Sequence, residues 1–462
     1  MWIGGILELS SKVRYGITSR GLPIFRFVPY ERSFGPFAVS SSQRSLYNVH
    51  AIVEPCRPSG EPCTAGPCTA GPCTSSAELP RATLIQILGP PTPETETTIL
   101  LSTYAYDNKK ELRKFPVLDA GPYQNIEREQ ITGFTFNIDP PGCRDVDDTF
   151  TFNKTPKGWT ISINIADVSA YVQEGSELDK FIKQKATTFY SPSGEALAPM
   201  LPPHIEEAAS LLPGKDKLTI SLVFDYDTSM SNFRWVCSVT KTTISYTYEE
   251  AQAKLESQPE FQVLAEIAKS QDSHKWVEAL MILYNTKAAE TLKEKGQGIL
   301  RAHTQPQIDK LAEWSAFPEL AFMAYESAKF VDASQDAFHY GLNTVYAYAS
   351  SPIRRYCDLV NQRVLKGLSI EPTLTQFLNQ RQKQAKAFSR DLFFMKELKT
   401  TSEVRGLVVS RSPYFKVYVP VWKRVIKVSQ EIPTSREVIL TWFDDMKTPN
   451  WKERLIFSVR SV

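Results

Sequence analysis

The pattern of apolar residues changes twice along this 462-residue chain, and these changes restrict the fold more than any other feature. Between about residues 130 and 245, runs such as TISINIADVSAYV and KLTISLVFDYD are typical of strands. From Tyr248 to Lys399 the pattern is mainly helical, and the run WVEALMILYNTKAAETLKEK is followed by Gly296, which indicates a helix end. The last sixty residues return to strand patterns. The sequence therefore predicts an α/β domain followed by a small β barrel.

The N-terminal region is divided by a segment rich in Pro, Gly and Cys, RPSGEPCTAGPCTAGPCTSS. Before it, GGILELSS, YGITSRG and PIFRFVPY predict a small barrel over about residues 2–54. After it, ATLIQILG and TTILLSTYAY predict a second, abbreviated β unit that ends near residue 125. The chain is therefore expected to begin with two β units on either side of a linker over residues 55–80.

Four cysteines accompany this linker: Cys56, Cys63, Cys68 and Cys73. Their separations of seven, five and five residues do not match paired C-x-x-C zinc knuckles, and no histidine lies nearby. The AGPCT repeat favours a low-complexity linker over a metal site. Free thiols are typical of a reducing compartment.

The composition favours a soluble protein, since no apolar run is long enough to span a bilayer and no secretory signal is visible. We therefore expect a cytoplasmic location. The net charge of +2 conceals a basic region between Arg381 and Lys427, with twelve Lys or Arg against three Asp or Glu. Tyr414, Phe415, Tyr418 and Trp422 lie among these basic residues. The region fits either a solvated helix face or a surface that binds a polyanion.

The stretch NIDPPGCRDVDD places four aspartates, Asp139, Asp145, Asp147 and Asp148, within ten residues. In an extended chain Asp145 and Asp147 point to one side and Asp148 to the other. A turn at residues 140–142, Pro-Pro-Gly, can return Asp139 to the same pocket. Oxygen-only ligands of this kind suit Mg²⁺ or Mn²⁺. A solvated acidic turn accounts for this stretch, taken alone, about equally well.

Two other interpretations of the aspartates are less consistent with the sequence. A calcium-binding EF-hand needs Gly at the sixth loop position and Glu at the twelfth, where this chain has Arg144 and Phe150. The run DVDDT matches the D-x-D-x-T loop of haloacid-dehalogenase-type phosphatases. That loop should follow a buried apolar strand, whereas PPGCR precedes DVDDT here.

Three further motifs accompany the aspartates: NIADVSAYVQEGSELD at residues 164–179, TTFYSPSGEALAPMLPPHIEEAASLLPG after it, and YAYASSPIRRYCDLVNQRVL at residues 346–365. With the pattern I-D-x-x-x-x-x-D-x-D-D, they resemble the RNB family of exoribonucleases over about residues 125–400. The resemblance implies an α/β catalytic RNB domain with a mixed sheet and helices over residues 126–402. It also implies flanking cold-shock-like or OB-type barrels at residues 1–54, 81–125 and 403–462.

The resemblance implies a hydrolytic exonuclease that degrades single-stranded RNA from its 3′ end to 5′-nucleoside monophosphates. The cofactor would be Mg²⁺, with Mn²⁺ as a possible substitute, and the protein is expected to be a monomer. Asp139, Asp145, Asp147 and Asp148 would hold the metal. Asp147 would also act in catalysis, together with Tyr190 and Arg354.

The RNA contacts that the resemblance implies are Tyr190, Arg354, Arg355, Glu278, Asn285 and Arg390. Tyr190 would stack on the terminal base, although a core tyrosine is the simpler interpretation of the residue alone. Glu278 and Asn285 are seven residues apart on one helix and are assigned to channel lining or packing. Ser350-Ser351-Pro352 predicts a helix start with Arg354 and Arg355 in the first turn, where free N–H groups attract phosphate. The alternative is an exposed arginine pair, one member of which bridges to Asp358.

Three positions depart from the family pattern. Asn164 and Gln362 stand where the family usually has histidine, and Ser389 stands where some members have a glutamate. Neither amide can gain a proton as histidine does. None of the three changes removes an expected metal ligand. They leave a second hypothesis open, in which the chain is an RNA-binding protein on an RNB scaffold with little or no catalysis.

Overall fold

The computed structural model describes residues 2–31, 34–56, 79–105, 115, 126–368, 374–398, 401–431, 434–445 and 455–462. The chain divides into two compact units. The first contains Met1–Asp107, Phe189–Ala198 and Gln384–Val462, and the second contains Asn108–Thr188 and Pro199–Lys383. The Cys-rich segment predicted as a linker lies outside the described residues, except for its ends.

The first unit begins with a closed five-stranded barrel in the order β1-β2-β3-β5-β4. Its core contains Leu7, Phe27, Val39 and Val53, none of which is exposed. The strands are β1 (Ile3–Leu7), β2 (Ile24–Pro29), β3 (Phe37–Ser40), β4 (Val49–Pro55) and β5 (Arg81–Gly89). The run YGITSRG contributes only an isolated bridge between Ile17 and Pro23. The predicted barrel is therefore present, but one of its strands comes from beyond the Cys-rich segment.

The prediction of a separate β unit over residues 81–125 is wrong for the residues of that range that the structure describes. ATLIQILG forms β5, which pairs with β3 and β4 and so completes the first barrel. TTILLSTYAY contributes to a helix, α1 (Pro93–Tyr104), instead of a strand. A capping box starts this helix, because the Thr92 side chain accepts from Thr95 N–H and the Thr95 side chain accepts from Thr92 N–H. Apolar runs of this length do not distinguish helix from strand without such caps.

The first unit also contains the C-terminal sheet, in the order β19-β18-β17-β20-β21. Trp422 is 1% exposed and packs against Phe394 and Trp442 in its core. The short pair β10 (Phe189–Tyr190) and β11 (Ala196–Ala198) belongs to the same unit. The strands of the C-terminal sheet are β17 (Glu403–Ser410), β18 (Phe415–Val419), β19 (Arg424–Val428), β20 (Glu437–Asp444) and β21 (Leu455–Ser461).

The second unit is built on a seven-stranded mixed sheet in the order β14-β7-β8-β9-β12-β13-β6. Phe150, Phe152 and Ile163 alternate with polar residues and pack in a core with Trp276 and Tyr284. The strands are β6 (Glu129–Gln130), β7 (Phe134–Ile138), β8 (Asp148–Thr155), β9 (Gly158–Ala166), β12 (Asp216–Tyr226), β13 (Met230–Lys241) and β14 (Ile244–Tyr246), and β15 (Ile299–Ala302) pairs separately with β16 (Lys329–Asp332).

The helices after β14 follow the predicted change of pattern at Tyr248. The longest in the second unit, α6, ends where predicted, since Gly296 adopts a left-handed conformation with φ of 62° as its C-cap. The helices after α1 are α2 (Glu177–Lys185), α3 (Pro203–Ala209), α4 (Tyr248–Ala253), α5 (Pro259–Ala268), α6 (Ser273–Lys295), α7 (Ile308–Glu313), α8 (Tyr356–Leu365) and α9 (Leu374–Glu397). Across the described residues, no helix has the length and apolar character needed to cross a membrane. The expected α/β domain with small β barrels is confirmed.

Candidate active site

Asp139 stands directly after β7, at the start of the loop that leads to β8. Its N–H donates to the Tyr246 carbonyl at 3.0 Å, because β14 runs parallel to β7 at this end of the sheet. Asn137 Nδ2 donates to Asp139 Oδ2 at 2.8 Å. A turn over residues 140–143 follows, with Gly142 at φ of 78°. The predicted turn is thus present, and Asp139 is fixed through both its backbone and its side chain.

Asp145 lies half-buried at the far end of the same loop. The Cys143 thiol points toward it, with Sγ 3.6 Å from Asp145 Oδ1. Ser210, at the end of α3, holds the backbone on both sides of Asp145. Its hydroxyl donates to the Arg144 carbonyl at 2.6 Å and accepts from Val146 N–H at 3.1 Å. The position of Asp145 therefore depends on a residue more than sixty positions later in the chain.

Asp147 is 2% exposed and both of its carboxylate oxygens are engaged. Oδ1 accepts from the Ile353 N–H at 2.9 Å, and Oδ2 accepts from Arg354 Nε at 2.9 Å. Burial raises the pKa of Asp147 to about 7, although the nearby Arg354 charge and the Ile353 hydrogen bond oppose that rise. Residues 139–148, which carry the four aspartates, are called the acidic loop below. Asp147 links this loop to the segment that carries Arg354.

Asp148 is buried at the first position of β8, 9% exposed. Burial raises its pKa well above the usual value, and the charges of Asp139 and Asp147 raise it further. The pKa of Asp139 is also raised, first by burial. The carboxylates therefore repel one another in a poorly solvated place, and Arg354 offsets only part of that repulsion.

These aspartates partly fit a divalent metal ion. The donors are all carboxylate oxygens, which hard cations prefer. Burial, and next the neighbouring carboxylate charges, raise the pKa of Asp148, and burial raises the pKa of Asp139, as expected for carboxyl groups without a bound cation. In the part of the chain that the structure describes, however, no three Asp, Glu, His or Cys side chains converge into a set that could hold a metal. The charge and chemistry fit Mg²⁺, whereas closure of the four carboxylates around one ion would require side-chain movement.

The segment before α8 differs from the predicted helix start. The helix begins at Tyr356, and Arg355 is its N-cap in an extended conformation. A turn precedes it, in which Ser351 O accepts from the N–H groups of Arg354 and Arg355. Arg354 is therefore outside the first helical turn, and its anionic partner in this structure is Asp147 instead of a ligand at the helix end. The Arg355 guanidinium pairs with buried Asp358 at 2.7 Å.

Tyr190 and Arg390 belong to the first unit, whereas the four aspartates and Arg354 belong to the second. Tyr190 is half-buried in β10 and pairs with Ala196 of β11. Arg390 is exposed on α9, with its Nε donating to the Lys386 carbonyl at 3.2 Å. The roles assigned to both residues stay predictions.

Glu278 and Asn285 lie on α6 in very different environments. Glu278 is half-exposed and pairs with Lys275 at 2.5 Å. Asn285 is 2% exposed, and its amide bonds to the Tyr346 hydroxyl, the Ser350 hydroxyl and the Ala349 N–H. Asn285 therefore packs beneath the segment that leads to Arg354. Of the two roles expected from the sequence, channel lining or packing, its contacts fit packing.

The departures at Asn164 and Gln362 lie inside the second unit. The Asn164 side chain bonds to Thr149, Thr151 and Ser221 across three strands of the sheet. Gln362 Nε2 donates to the Ala166 carbonyl at 2.7 Å. Both amides are completely buried and make contacts that maintain the fold. Ser389 is exposed on α9.

Two residues near the acidic loop were not predicted from the sequence. Burial raises the pKa of Tyr248 to about 12, and the charges of Asp139 and Asp148 contribute to that rise. Burial likewise raises the pKa of Glu206 to about 7, with Asp145 the next cause. Both residues are distant from the aspartates in sequence. The capping box Thr247–Glu250 does mark the helix start at Tyr248, but it gives no sign of what the ring contacts.

Comparisons with known proteins extend these observations. The family model described as "RNB domain" matches residues 128–270 and 259–371, more than half of the chain. Ribonuclease R of Buchnera aphidicola is 26% identical over 325 residues, which cover 51% of this chain and 44% of that protein. The chain spans at most about half the length of the curated relatives it matches.

Two solved structures share the fold. Mycoplasma genitalium RNase R in complex with ribose-methylated single-stranded RNA superposes with a TM-score of 0.70 at 14% identity, covering 99% of this chain and 90% of that one. Yeast Ssd1, described as a pseudonuclease, superposes with a TM-score of 0.66 at 17% identity, covering 96% and 67%. With the acidic loop, the Arg354 segment and the match to the family model taken together, the chain belongs to the RNB domain family.

Proposed function

We propose that this protein is a Mg²⁺-dependent exoribonuclease that hydrolyses single-stranded RNA from its 3′ end and releases 5′-nucleoside monophosphates. The observation that carries the proposal is the pairing of Arg354 with Asp147 beside Asp139 and Asp148. It places a positively charged guanidinium next to a cluster of carboxylates. The relatives that share the RNB domain include proteins named Ribonuclease R and Exoribonuclease 2.

In this proposal Asp139, Asp145, Asp147 and Asp148 hold Mg²⁺. When bound, the ion would supply an activated water and offset the charge that builds on the scissile phosphate. Asp147 fixes Arg354 through Nε, and 47% of the Arg354 side chain is exposed, so a phosphate can approach its guanidinium from solvent. Ser351 Oγ accepts from Arg354 Nη2 at 3.1 Å and limits the rotation of the guanidinium.

The remaining assigned residues act on the RNA chain. Tyr190 stacks on the terminal base, and Arg355 and Arg390 contribute positive charge along the strand. Arg355 is also held against the Tyr348 ring, with its guanidinium carbon 4.1 Å from the ring centroid. The substrate is single-stranded RNA, and the preference over DNA comes from contacts to the 2′-hydroxyl.

A second candidate function is RNA binding without catalysis. The observation that favours it is that both oxygens of Asp147 are already engaged, by Ile353 and Arg354. Yeast Ssd1, a pseudonuclease by its description, has the same fold. If this candidate is correct, Asp147 serves to anchor Arg354, and the acidic loop has no catalytic role.

Incubation of the purified protein with single-stranded, 5′-labelled poly(A) and Mg²⁺ separates the two candidate functions. Progressive shortening and release of 5′-AMP support the nuclease. Binding of the RNA with no shortening in any divalent ion supports the second candidate and overturns the first.

A further inference from the structure

Tyr248 and His274 form a face-to-face pair of rings in the second unit. Their ring centroids are 4.0 Å apart and the ring planes differ by 6°. This is the closest parallel stacking among the aromatic pairs of the described residues. The two rings come from different helices, since Tyr248 is the first residue of α4 and His274 is the second residue of α6.

Several hydrogen bonds hold the two rings in register. Ser273 Oγ donates to the Tyr248 carbonyl at 2.9 Å, and Ser273 N–H donates to Gln252 Oε1 at 2.9 Å. Asp272 Oδ1 accepts from His274 N–H at 2.9 Å and lies 3.2 Å from His274 Nδ1. The imidazole is therefore oriented by Asp272, while Ser273 ties the start of α6 to α4.

One end of this ring pair lies by the acidic loop. The strand before Tyr248 is β14, and the carbonyl of its last residue, Tyr246, accepts from Asp139 N–H at 3.0 Å. The charges of Asp139 and Asp148 also act on the Tyr248 phenol. The other end is open, because 63% of the His274 side chain is exposed. The start of α4 is thus tied to the acidic loop by the backbone bond at Tyr246, and the His274 ring reaches solvent.

We infer that Tyr248 and His274 form a stacking column for an RNA base, in which an unpaired nucleobase continues the stack on the exposed face of His274. An imidazole held parallel to a second ring presents a flat face without further loss of side-chain entropy. Stacking of a base on an aromatic side chain contributes about 1–3 kcal/mol and tolerates any base. Such a contact would position a nucleotide of the same strand whose phosphate binds Arg354. This inference rests on the proposed function for its ligand, single-stranded RNA.

The test uses the full chain with Mg²⁺ and a hydrolysis-resistant phosphorothioate heptaadenylate that carries 2-aminopurine at each position in turn. Stacking on an aromatic ring quenches this fluorophore, so quenching reports which nucleotide contacts a ring. For His274→Ala we expect about 5- to 150-fold weaker binding and loss of quenching at one position. His274→Phe keeps a flat ring and should retain binding within about threefold and keep the quenching.

His303→Ala is the matched control, since His303 also stacks on a tyrosine, Tyr325, with centroids 6.0 Å apart. It should bind the oligonucleotide like the wild type. A purely structural role for His274 would change the melting temperature without moving the quenching pattern, and that result overturns the inference. Wild-type affinity and quenching in His274→Ala would overturn it too.

The outcomes also separate this inference from the proposed enzyme. His274-dependent quenching of the phosphorothioate RNA, together with no shortening of unmodified poly(A), contradicts the nuclease and supports the stacking column. A wild-type protein that binds no RNA at all contradicts both.

Discussion

Arg354 Nε donates to Asp147 Oδ2 at 2.9 Å, across 207 residues of sequence. The neighbouring Ile353 N–H donates to the other oxygen of the same carboxylate at 2.9 Å. Asp147 thereby fixes the backbone and the side chain of the segment that supplies the arginine. Two motifs that are separate in sequence are joined in this way into one candidate active site.

Replacement of Arg354 by Lys should lower kcat by about 100-fold or more with a smaller effect on KM. Lysine keeps the positive charge but cannot bond to Asp147, Ser351 and a phosphate through one planar group. Steady-state kinetics on a labelled RNA measures this. Arg234→Lys, at a surface pair with Glu129, is the control and should leave kcat unchanged. An Arg354→Lys enzyme with wild-type kcat would contradict the role of Arg354.

Replacement of Asp148 by Asn should stabilise the protein in the presence of a chelator at pH 8, by about 1–3 kcal/mol. The folded-state pKa of Asp148 is raised, so its ionised form opposes folding above its ordinary pKa. The gain should shrink as the pH falls toward 4, because the wild-type carboxyl then becomes protonated in the folded state. Denaturant unfolding at the two pH values measures this. Asp216→Asn, at an exposed position, serves as the control. If Asp148→Asn instead destabilises the protein at pH 8, the Asp148 carboxylate charge is compensated in the folded state and the prediction is wrong.

Replacement of Asn164 by Ala should lower the free energy of unfolding by about 1–3 kcal/mol, because it removes several buried hydrogen bonds between neighbouring strands. Thr151 and Ser221 both lose a hydrogen bond to the Asn164 side chain. The kcat of the folded variant should stay within a few-fold of the wild type, since Asn164 lies within the sheet. Urea unfolding with Asn153→Ala as an exposed comparison measures the effect. A stable but inactive Asn164→Ala enzyme would instead place Asn164 in the chemistry.

RNA affinity should fall steeply with salt because of the basic residues between Arg381 and Lys427. Each phosphate neutralised on a single strand contributes about −0.7 to the slope of log affinity against log salt. Lys427 lies over the Tyr414 ring, with Nζ 5.1 Å from its centroid. Lys427→Ala should reduce the slope by about that amount, whereas Lys157→Ala should not. Affinity that barely changes between low and moderate salt would remove this region from the RNA interface.

Local sequence patterns predicted the features that depend on nearby residues. The turn after Asp139, the end of α6 at Gly296 and the strands of the central sheet follow from turn residues, a glycine C-cap and apolar runs. The helix start at Ser351 was predicted incorrectly because tertiary contacts fix that segment. Arg355 forms a bridge with Thr187, and this extended pairing delays the helix to Tyr356.

Features that depend on distant pairing were not predictable from one sequence. β5 follows the Cys-rich segment and completes the first barrel by pairing with β3 and β4, which precede that segment. The length of the intervening segment gave no information about which strands β5 pairs with. The parallel pairing of β14 with β7 brings the segment before Tyr248 to Asp139. The sequence singled out the four aspartates, and their shared role as metal ligands stays a prediction. The hydrogen bonds of Asp147 to Ile353 and Arg354 became visible only in three dimensions.

The most direct test of the account is the degradation of 5′-labelled poly(A) by the wild type and by Asp147→Asn with Mg²⁺, with products identified by chromatography. The account predicts shortening from the 3′ end and 5′-AMP for the wild type. It predicts that Asp147→Asn binds the RNA but releases no nucleotide, because the amide cannot serve as an anionic metal ligand. Equal RNA binding by both proteins with no cleavage by either would contradict the nuclease and leave an RNA-binding RNB protein.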